Sequence, residues 1–505
     1  MKKVVSSSEL KNKMVDCVNM LCDAVSSTLG PTGNNVLISN SDSSSFITND
    51  GVTIASNIES DDSCSNAILD IIKEAALKTN ELVGDGTTTT LVLLQSIFKQ
   101  GVDMINNGYN AITLKYELYD SLDNVLKILS SLKRKPTNSD LLSIASVSTN
   151  DLEMGKYIYD LYIKMKNRYA IKIMEGYSED TYYNIKKGYI IDINGISSLF
   201  FNNKKSIELN YCDVFVVKGF ISSMEQISEI INEGVINNKN IIIFAEDYER
   251  HIEEELLAYY LTENIRIIII SISEYGSHRD MIFNDLSILS GCAIKNIEYE
   301  KVYYSDCGVF SNILINNGDL IISFDKDRAV KLRNLITKEL SCVNSEYDKE
   351  FIMKRLCMIN KGIAYLYVGG ITKTEIKEKI MRFEDGLCAL ASAESGVCLG
   401  EGVTLMNVSN LIGDVSCGDK IIKNALCIPF NKIIENIGLD PSKIKKEIVN
   451  HNYKKVYNYI NNTYEESSSI LDPFLVLSTC CKNAVSIASI LLTTNYLVVC
   501  ENISI

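Results

Sequence analysis

The run Gly84-Asp85-Gly86-Thr87-Thr88-Thr89-Thr90 combines residue types that could handle phosphate. Glycine tolerates positive φ, so a backbone built on it can turn tightly and converge its N–H groups on an anion. Asp85, between two glycines, offers hard oxygen to a divalent cation that bridges phosphates. The threonines can open a helix, whose N-terminus favours negative charge. Taken alone, the run reads equally well as a Gly/Thr helix cap. Other turns of similar character accompany it. Leu29, Gly30, Pro31, Thr32 and Gly33 form one, and Ile47 to Thr53 form a second, a short apolar stretch interrupted by Asp50-Gly51. Far downstream, Gly400, Glu401, Gly402, Val403 and Thr404 make a glycine turn and Leu471-Asp472-Pro473 an acidic one. Asp385 stands ahead of both, in the helix-like run Arg382 to Leu387.

Regular elements have to hold these turns in place. Val18, Leu21, Cys22 and Val25 recur at helical spacing just before the first turn, and two long helix-like stretches flank the Gly84 run. Residues from about 190 to 360 carry no turn of this kind, so the sequence predicts a middle segment inserted into a domain built from both ends of the chain. Within it, Cys212 to Gly219 reads as a strand and Met224, Ile227, Ile230 and Ile231 as a helix. Asn240 to Asp247 is a strand, Arg250 to Thr262 a helix and Arg266 to Ser273 a strand. That alternation predicts a parallel α/β unit, while the end segments read as mainly helical. No GxGxxG or GxxxxGK follows any of these strands.

Composition narrows the function classes. The 505 residues suffice for two or more domains, and 46% apolar with 23% charged residues is an ordinary globular balance. A formal charge of −14 argues against nucleic acid as a main partner. The N-terminus lacks the apolar core of a signal peptide, and the 15 cysteines read as reduced core residues, which together predict a cytoplasmic protein. No CxxC pair is present, so a structural zinc site is not expected. His251, His278 and His451 are scattered and read as surface residues. No run is expected to cross a membrane; the longest candidate, near Ile490 to Val499, is broken by Thr and Asn.

The ordered set LGPTG, ITNDGVTI, GDGTTTT, RFEDGL, GEGVTL and ILDP resembles the group I chaperonins, the GroEL type, in order and spacing over nearly the whole chain. Ile241 to Asp247, Tyr367 to Leu387 and Ile428 to Pro441 extend the match, and the group II type fits less well in the C-terminal third. The resemblance implies an α/β multidomain chaperonin fold. Its parts would be a mainly helical equatorial ATPase domain (1–132 and 396–505), a small intermediate hinge domain (133–187 and 362–395) and an inserted α/β apical domain (188–361).

It further implies an ATP-dependent chaperone with Mg2+ and K+ as cofactors. Non-native clients and a GroES-type co-chaperonin would be its partners, and homo-oligomeric seven-membered rings, stacked in pairs, its assembly. By the same resemblance Asp385 and Asp50 are catalytic and Asp85 holds the metal. Leu29, Gly30, Pro31, Gly33, Asp85, Gly86, Thr87, Thr88, Thr89, Ser148, Asn150, Gly402 and Asp472 contact nucleotide, with Asp472 at the ribose. Phe200, Phe201, Ile231 and Leu257 would line an apolar client groove. Four positions depart from the pattern. Thr32 stands where lysine is usual, Glu401 interrupts a glycine triplet, and Ser228 and Glu253 occupy leucine positions unless the register is slipped toward Ile227 and Tyr260. The Gly-Gly-Met tail of bacterial relatives is absent from Asn502 to Ile505. A non-cycling holdase or scaffold of the same fold is the alternative.

Overall fold

The Val18, Leu21, Cys22 and Val25 stripe lies on a Ser7–Ser26 helix, and all four side chains are fully buried. The computed structural model describes residues 2–39, 45–201, 206–263, 266–316, 318–343, 345–458, 463–466 and 470–500. Asn502 to Ile505, read above as a divergent tail, lie outside them. The chain divides into two compact units, one of Met1–Lys164 with Gly370–Ile505 and one of Met165–Gly369.

The first unit is mainly helical. Its centre is the Phe474–Thr493 helix, which packs on Ser63–Val83, Thr87–Asn106 and Ala111–Leu132. Asp62 caps the first of these three by accepting from the N–H groups of Cys64 and Ser65, and Asn110 caps the third through Ile112 and Thr113. Such caps satisfy donors that helix geometry leaves without partners. Among the described helices, Phe474–Thr493 is the one long and apolar enough to cross a membrane, and it is mostly buried in this unit. The apolar run therefore starts well before the Ile490 stretch named from sequence, at Phe474, and it serves as a core helix. Strands Lys2–Val5 and Leu497–Cys500 pair antiparallel.

The second unit carries a seven-stranded mixed sheet. Ser206–Ile221, Ile241–Tyr248 and Ile267–Ser271 are parallel neighbours, joined by helices Ser228–Ile236 and Arg250–Glu263 as the alternation predicts. Ile294–Asn296 adds a further parallel strand. The other side of the sheet is antiparallel, through Gly308–Asn316, Asp319–Ser323 and Tyr189–Asp192. A separate three-stranded sheet joins Ile171–Glu175, Ile363–Val368 and Tyr182–Lys186. The core is rich in isoleucine: Ile241, Ile242, Ile243, Ile267, Ile268 and Ile270 are fully buried, as strands covered on both faces require.

Two polar groups of this unit are buried, the first of them against expectation. His278, read from sequence as a surface residue, is 6% exposed, stacked on Phe351 and hydrogen-bonded through Nε2 to Asp348 at 2.8 Å. Arg355 is 1% exposed and donates from Nε and Nη2 to the two Asp285 oxygens at 2.7 and 2.6 Å. Its Nη1 donates to Glu339 at 2.7 Å, and the Tyr189 hydroxyl donates to Asp285.

Candidate functional site

The Gly84–Thr90 loop connects two helices whose ends are both shaped by glycine. Gly84 (φ +66°) closes Ser63–Val83, with its N–H donating to the Asn80 carbonyl at 2.7 Å. Gly86 (φ +81°) opens Thr87–Asn106, and no side chain caps that helix start. The first-turn N–H groups thus have no side-chain acceptor and can receive an anion. The Asp85 carboxylate accepts from the Gly86 N–H at 2.5 Å, which fixes it at the mouth of the turn. The threonines divide the work. Thr88 and Thr89 are half-buried, Thr87 is buried, and Thr90 is fully buried with its Oγ1 donating to the Gly86 carbonyl at 3.0 Å.

Neighbouring helices press on the loop from behind. A Cβ added to Gly86 would lie 2.5 Å from the Cys480 sulfur and 2.7 Å from a Val476 methyl, and one on Gly84 would lie 2.4 Å from the Cys388 sulfur. Gly86→Ala is therefore expected to destabilise the chain by about 1–3 kcal/mol, since overpacking adds to an unfavourable left-handed φ. Urea titration of the variant checks this, and an unchanged midpoint would contradict the packing described.

Asp50 reaches the same helix start from another direction. A Cβ on Gly51 would be 2.6 Å from Thr88 Oγ1 and 2.8 Å from Thr87 Oγ1, so only glycine lets the Gly51–Asn57 helix abut the threonines. The Asp-Gly read as a turn is the N-cap of that helix. The Asp50 carboxylate accepts from the Val52 N–H at 3.3 Å, the Thr53 N–H at 2.8 Å and Thr53 Oγ1 at 2.5 Å.

Asp385 lies on the Lys373–Ala393 helix, half-buried. Burial first, then the charges of Asp85 and Asp50, push its carboxyl up to about 8. Asp472 sits on strand Leu471–Pro473, paired with Val397–Leu399 so that Cys398 faces it across the ladder. Burial and then Asp85 push Asp472 up to about 7. Asp85 itself is raised by burial against the bond from Gly86. Four acids from opposite ends of the chain thus converge on one helix start.

The remaining sequence-predicted residues frame this cluster. A Cβ on Gly386 would meet Thr149 at 2.7 Å, which brings the Ser148–Asn150 turn beside the Asp385 segment; Ser148 is half-buried and Asn150 exposed at φ +50°. The Leu29–Gly33 turn follows the Ser7–Ser26 helix, with Gly30 at φ +88° and Pro31 and Thr32 exposed. Asn436 pins it, donating from Nδ2 to the Ser26 and Leu29 carbonyls at 3.1 and 2.8 Å. Gly402 (φ +71°) packs against the backbone of Phe430, on the same Ile428–Asn436 helix. That helix therefore ties the first glycine turn to the Gly402 turn. Asn436, Cys388 and Cys480 were not assigned roles from sequence; Asn436 lay within the matched Ile428 to Pro441 stretch, and the cysteines carried no signal of their own.

The donor set can be tested against a nucleotide with its metal. Four carboxylates would repel bare phosphates, and no basic side chain is among the groups that set the Asp385 or Asp472 carboxyls. An acid-rich pocket beside an uncapped helix start fits phosphates only when a cation lies between them. Among the described residues no cluster of three or more His, Cys, Asp or Glu is preformed for a metal. This suits Mg2+, which takes one or two carboxylates and completes its shell with phosphate and water. Asp85, held at the turn by the Gly86 N–H, would supply that carboxylate.

The residues expected to line a groove lie in the second unit, and there the expectation needs correcting. Phe200 is 2%, Phe201 8%, Ile231 3% and Leu257 9% exposed, all within the core. Ile227 and Tyr260, the slipped-register choice, are buried as well. The reason is local: the Ser198–Phe201 turn folds onto the Arg250–Glu263 helix, with Phe200 stacked on Tyr260 at 6.1 Å. The Glu253 carboxylate holds it by accepting from the Ser197 N–H at 2.5 Å. Ser228 is exposed, its hydroxyl donating to the Glu225 carbonyl at 2.8 Å.

Comparison with solved structures finds the same fold in the chaperonin gp146 from bacteriophage EL 2 (Pseudomonas aeruginosa), crystallised in the presence of ATP-BeFx. In one crystal form the TM-score is 0.76 at 21% identity, over 99% of each chain. In a second form it is 0.69 at 20% identity, again over 99% of each. The model of the TCP-1/cpn60 chaperonin family matches residues 21–250 and 318–502. With that match spanning most of its length and carrying the glycine and acid turns in order, this chain belongs to the TCP-1/cpn60 chaperonin family.

Proposed function

We propose that this chaperonin subunit binds and hydrolyses ATP with Mg2+ and K+, and couples the reaction to capture and release of non-native proteins. The observation that carries the reading is the convergence of Asp50, Asp85, Asp385 and Asp472 on the uncapped start of the Thr87–Asn106 helix. When bound, Mg2+ would neutralise phosphate charge and polarise the transferred group. The chain's own residues do the rest. First-turn N–H groups and Thr88 and Thr89 hold phosphate oxygens, Asp85 fixes the cation, and Asp472 accepts from the sugar. Asp385 takes a proton from the attacking water, which Asp50 helps to orient. Leu29 to Gly33 and Gly402 close the pocket around the nucleoside, and Ser148 and Asn150 flank the Asp385 side.

The wider reading follows the family. Three domains would work as equatorial, hinge and apical parts, with bounds near 132, 187, 361 and 395. Subunits would assemble as paired seven-membered rings in the cytoplasm, capped by a GroES-type co-chaperonin. The test is release of a denatured client. The chain should sediment as a ring, suppress client aggregation without nucleotide, and release folded client on adding ATP with Mg2+. Rings that hold client and ignore ATP would favour the second reading, a non-cycling holdase. That reading draws on the closed apolar turn of the second unit and on the acid at Glu401.

The closed turn gives a further expectation. Glu253→Leu removes the acceptor of the Ser197 N–H and loosens the Ser198–Phe201 turn by about 1–3 kcal/mol. Nucleotide-free Glu253→Leu should then bind more of an apolar dye and capture denatured client more tightly than wild type. Equal dye binding would show that the turn does not gate the apolar side chains.

A further inference from the structure

Glu401 is costly where it stands. It is 7% exposed, no donor meets either carboxyl oxygen in good hydrogen-bond geometry although the Tyr457 backbone lies nearby and favours the charged form, and its φ is +55°, in the left-handed region that disfavours glutamate. Glycines on both sides give the turn its shape, and a third would fit more easily. A buried acid with so little to satisfy it, held in such a position, points to a ligand that pairs it.

Its surroundings say which part of a ligand. Gly400 donates its N–H to the Ile470 carbonyl at 3.0 Å, and a Cβ on Gly400 would lie 3.2 Å from Asp472 Oδ1. The Gly400–Glu401 backbone thus runs along the Asp472 carboxylate. Asp472 is the foremost charge acting on Glu401, after burial, with Glu465 a weaker one from the Thr463–Glu466 strand. The two carboxyls sense each other, yet Glu401 makes no hydrogen bond to Asp472. Two nearby acceptors match two adjacent hydroxyl donors. A phosphate would be repelled there, whereas a sugar diol satisfies both.

We propose that Glu401 is a specificity-determining residue that pairs with Asp472 to grip the ribose diol of the bound nucleotide, one hydroxyl on each acid. This rests on the ATP reading above and adds to it a discrimination of ribose from deoxyribose. Measured by calorimetry on the full chain with Mg2+, ADP should bind about tenfold more tightly than the deoxy-ADP, 2′ or 3′, that lacks the hydroxyl facing Glu401. In Glu401→Gly, a residue suited to φ +55° and so expected to fold, that preference should shrink to about twofold or less. Glu401→Gln, which keeps one acceptor oxygen, should retain part of it. Wild type that binds ADP and both deoxy forms equally overturns the proposal alone. So does Glu401→Gly that discriminates as wild type does. Folded wild type that binds no ADP overturns the nucleotide reading together with it.

Discussion

Asp385→Ala is expected to lower steady-state ATP hydrolysis by about 10²- to 10⁴-fold, the range for loss of a positioned general base, while leaving assembly intact. Asp385 lies half-buried on the Lys373–Ala393 helix, and the truncation removes a carboxyl whose charged form is disfavoured by burial and by the neighbouring acids. The variant should therefore be at least as stable as wild type. The pH dependence gives an independent check. Burial and the neighbouring acids hold Asp385 at about 8 in the unliganded site, so near pH 7 most of it carries a proton. Activity that needs the ionised form should rise with pH through that region, and this limb should vanish in Asp385→Ala. The stability sign is opposite. An acid raised above its unfolded value of about 4 binds its proton more tightly in the folded chain, so stability falls as pH rises from about 4 to 8. Asp472, raised to about 7, adds to the same slope. Unliganded protein should thus melt at lower temperature at pH 8 than at pH 6, with a shallower slope in Asp385→Asn. A variant that hydrolyses ATP at the wild-type rate would remove Asp385 from the chemistry.

Arg355→Ala is expected to be the more damaging change to the fold, costing about 3–5 kcal/mol. The guanidinium is buried and makes a two-pronged contact to Asp285, so its removal leaves a carboxylate without its counter-charge inside an apolar sheet packing. Replacing both partners with apolar residues, as Arg355→Met with Asp285→Leu, should recover most of that loss because no charge remains to be buried. Denaturant melts of wild type and the two variants separate the cases. If the double variant is as unstable as Arg355→Ala, the pair matters through shape and not through charge. Neither residue stood out from sequence, because a lone arginine and a lone aspartate seventy positions apart carry no mark of pairing.

What could be read from sequence follows a physical line. Turns that need positive φ announce themselves through glycine, and Gly30, Gly84, Gly86 and Gly402 all adopt it. Helices with a regular apolar stripe were equally clear, as Val18 to Val25 show. The three parallel strands and their two connecting helices were legible from the switch in period. Facts set by tertiary contact were not. Asp50 looked like a turn residue and is a helix cap; His278 looked like a surface residue and is buried in a stack. Phe200 and Phe201 were expected to face solvent, but whether an apolar turn stays open depends on a hydrogen bond from the Ser197 N–H to Glu253 that no local pattern encodes. The antiparallel half of the large sheet escaped for the same reason: strand direction follows from long-range pairing. Among the acids, the sequence named each candidate, while their mutual repulsion became visible only with their placement.

The isoleucine-rich strands of the second unit have a consequence for the birth of the chain itself. Ile241 to Phe244 and Ile267 to Ile270 are fully or almost fully buried, uncharged, free of proline and neighbours in one parallel ladder. Segments of that kind are the ones that stack into fibrils when exposed. Parallel pairing also comes late, after slow closure of long loops. Until those strands meet, each newly made copy displays the kind of sticky segment that a chaperone exists to shield. Yield of soluble protein should accordingly depend on growth temperature and synthesis rate, and copies already assembled are natural first helpers for those that follow.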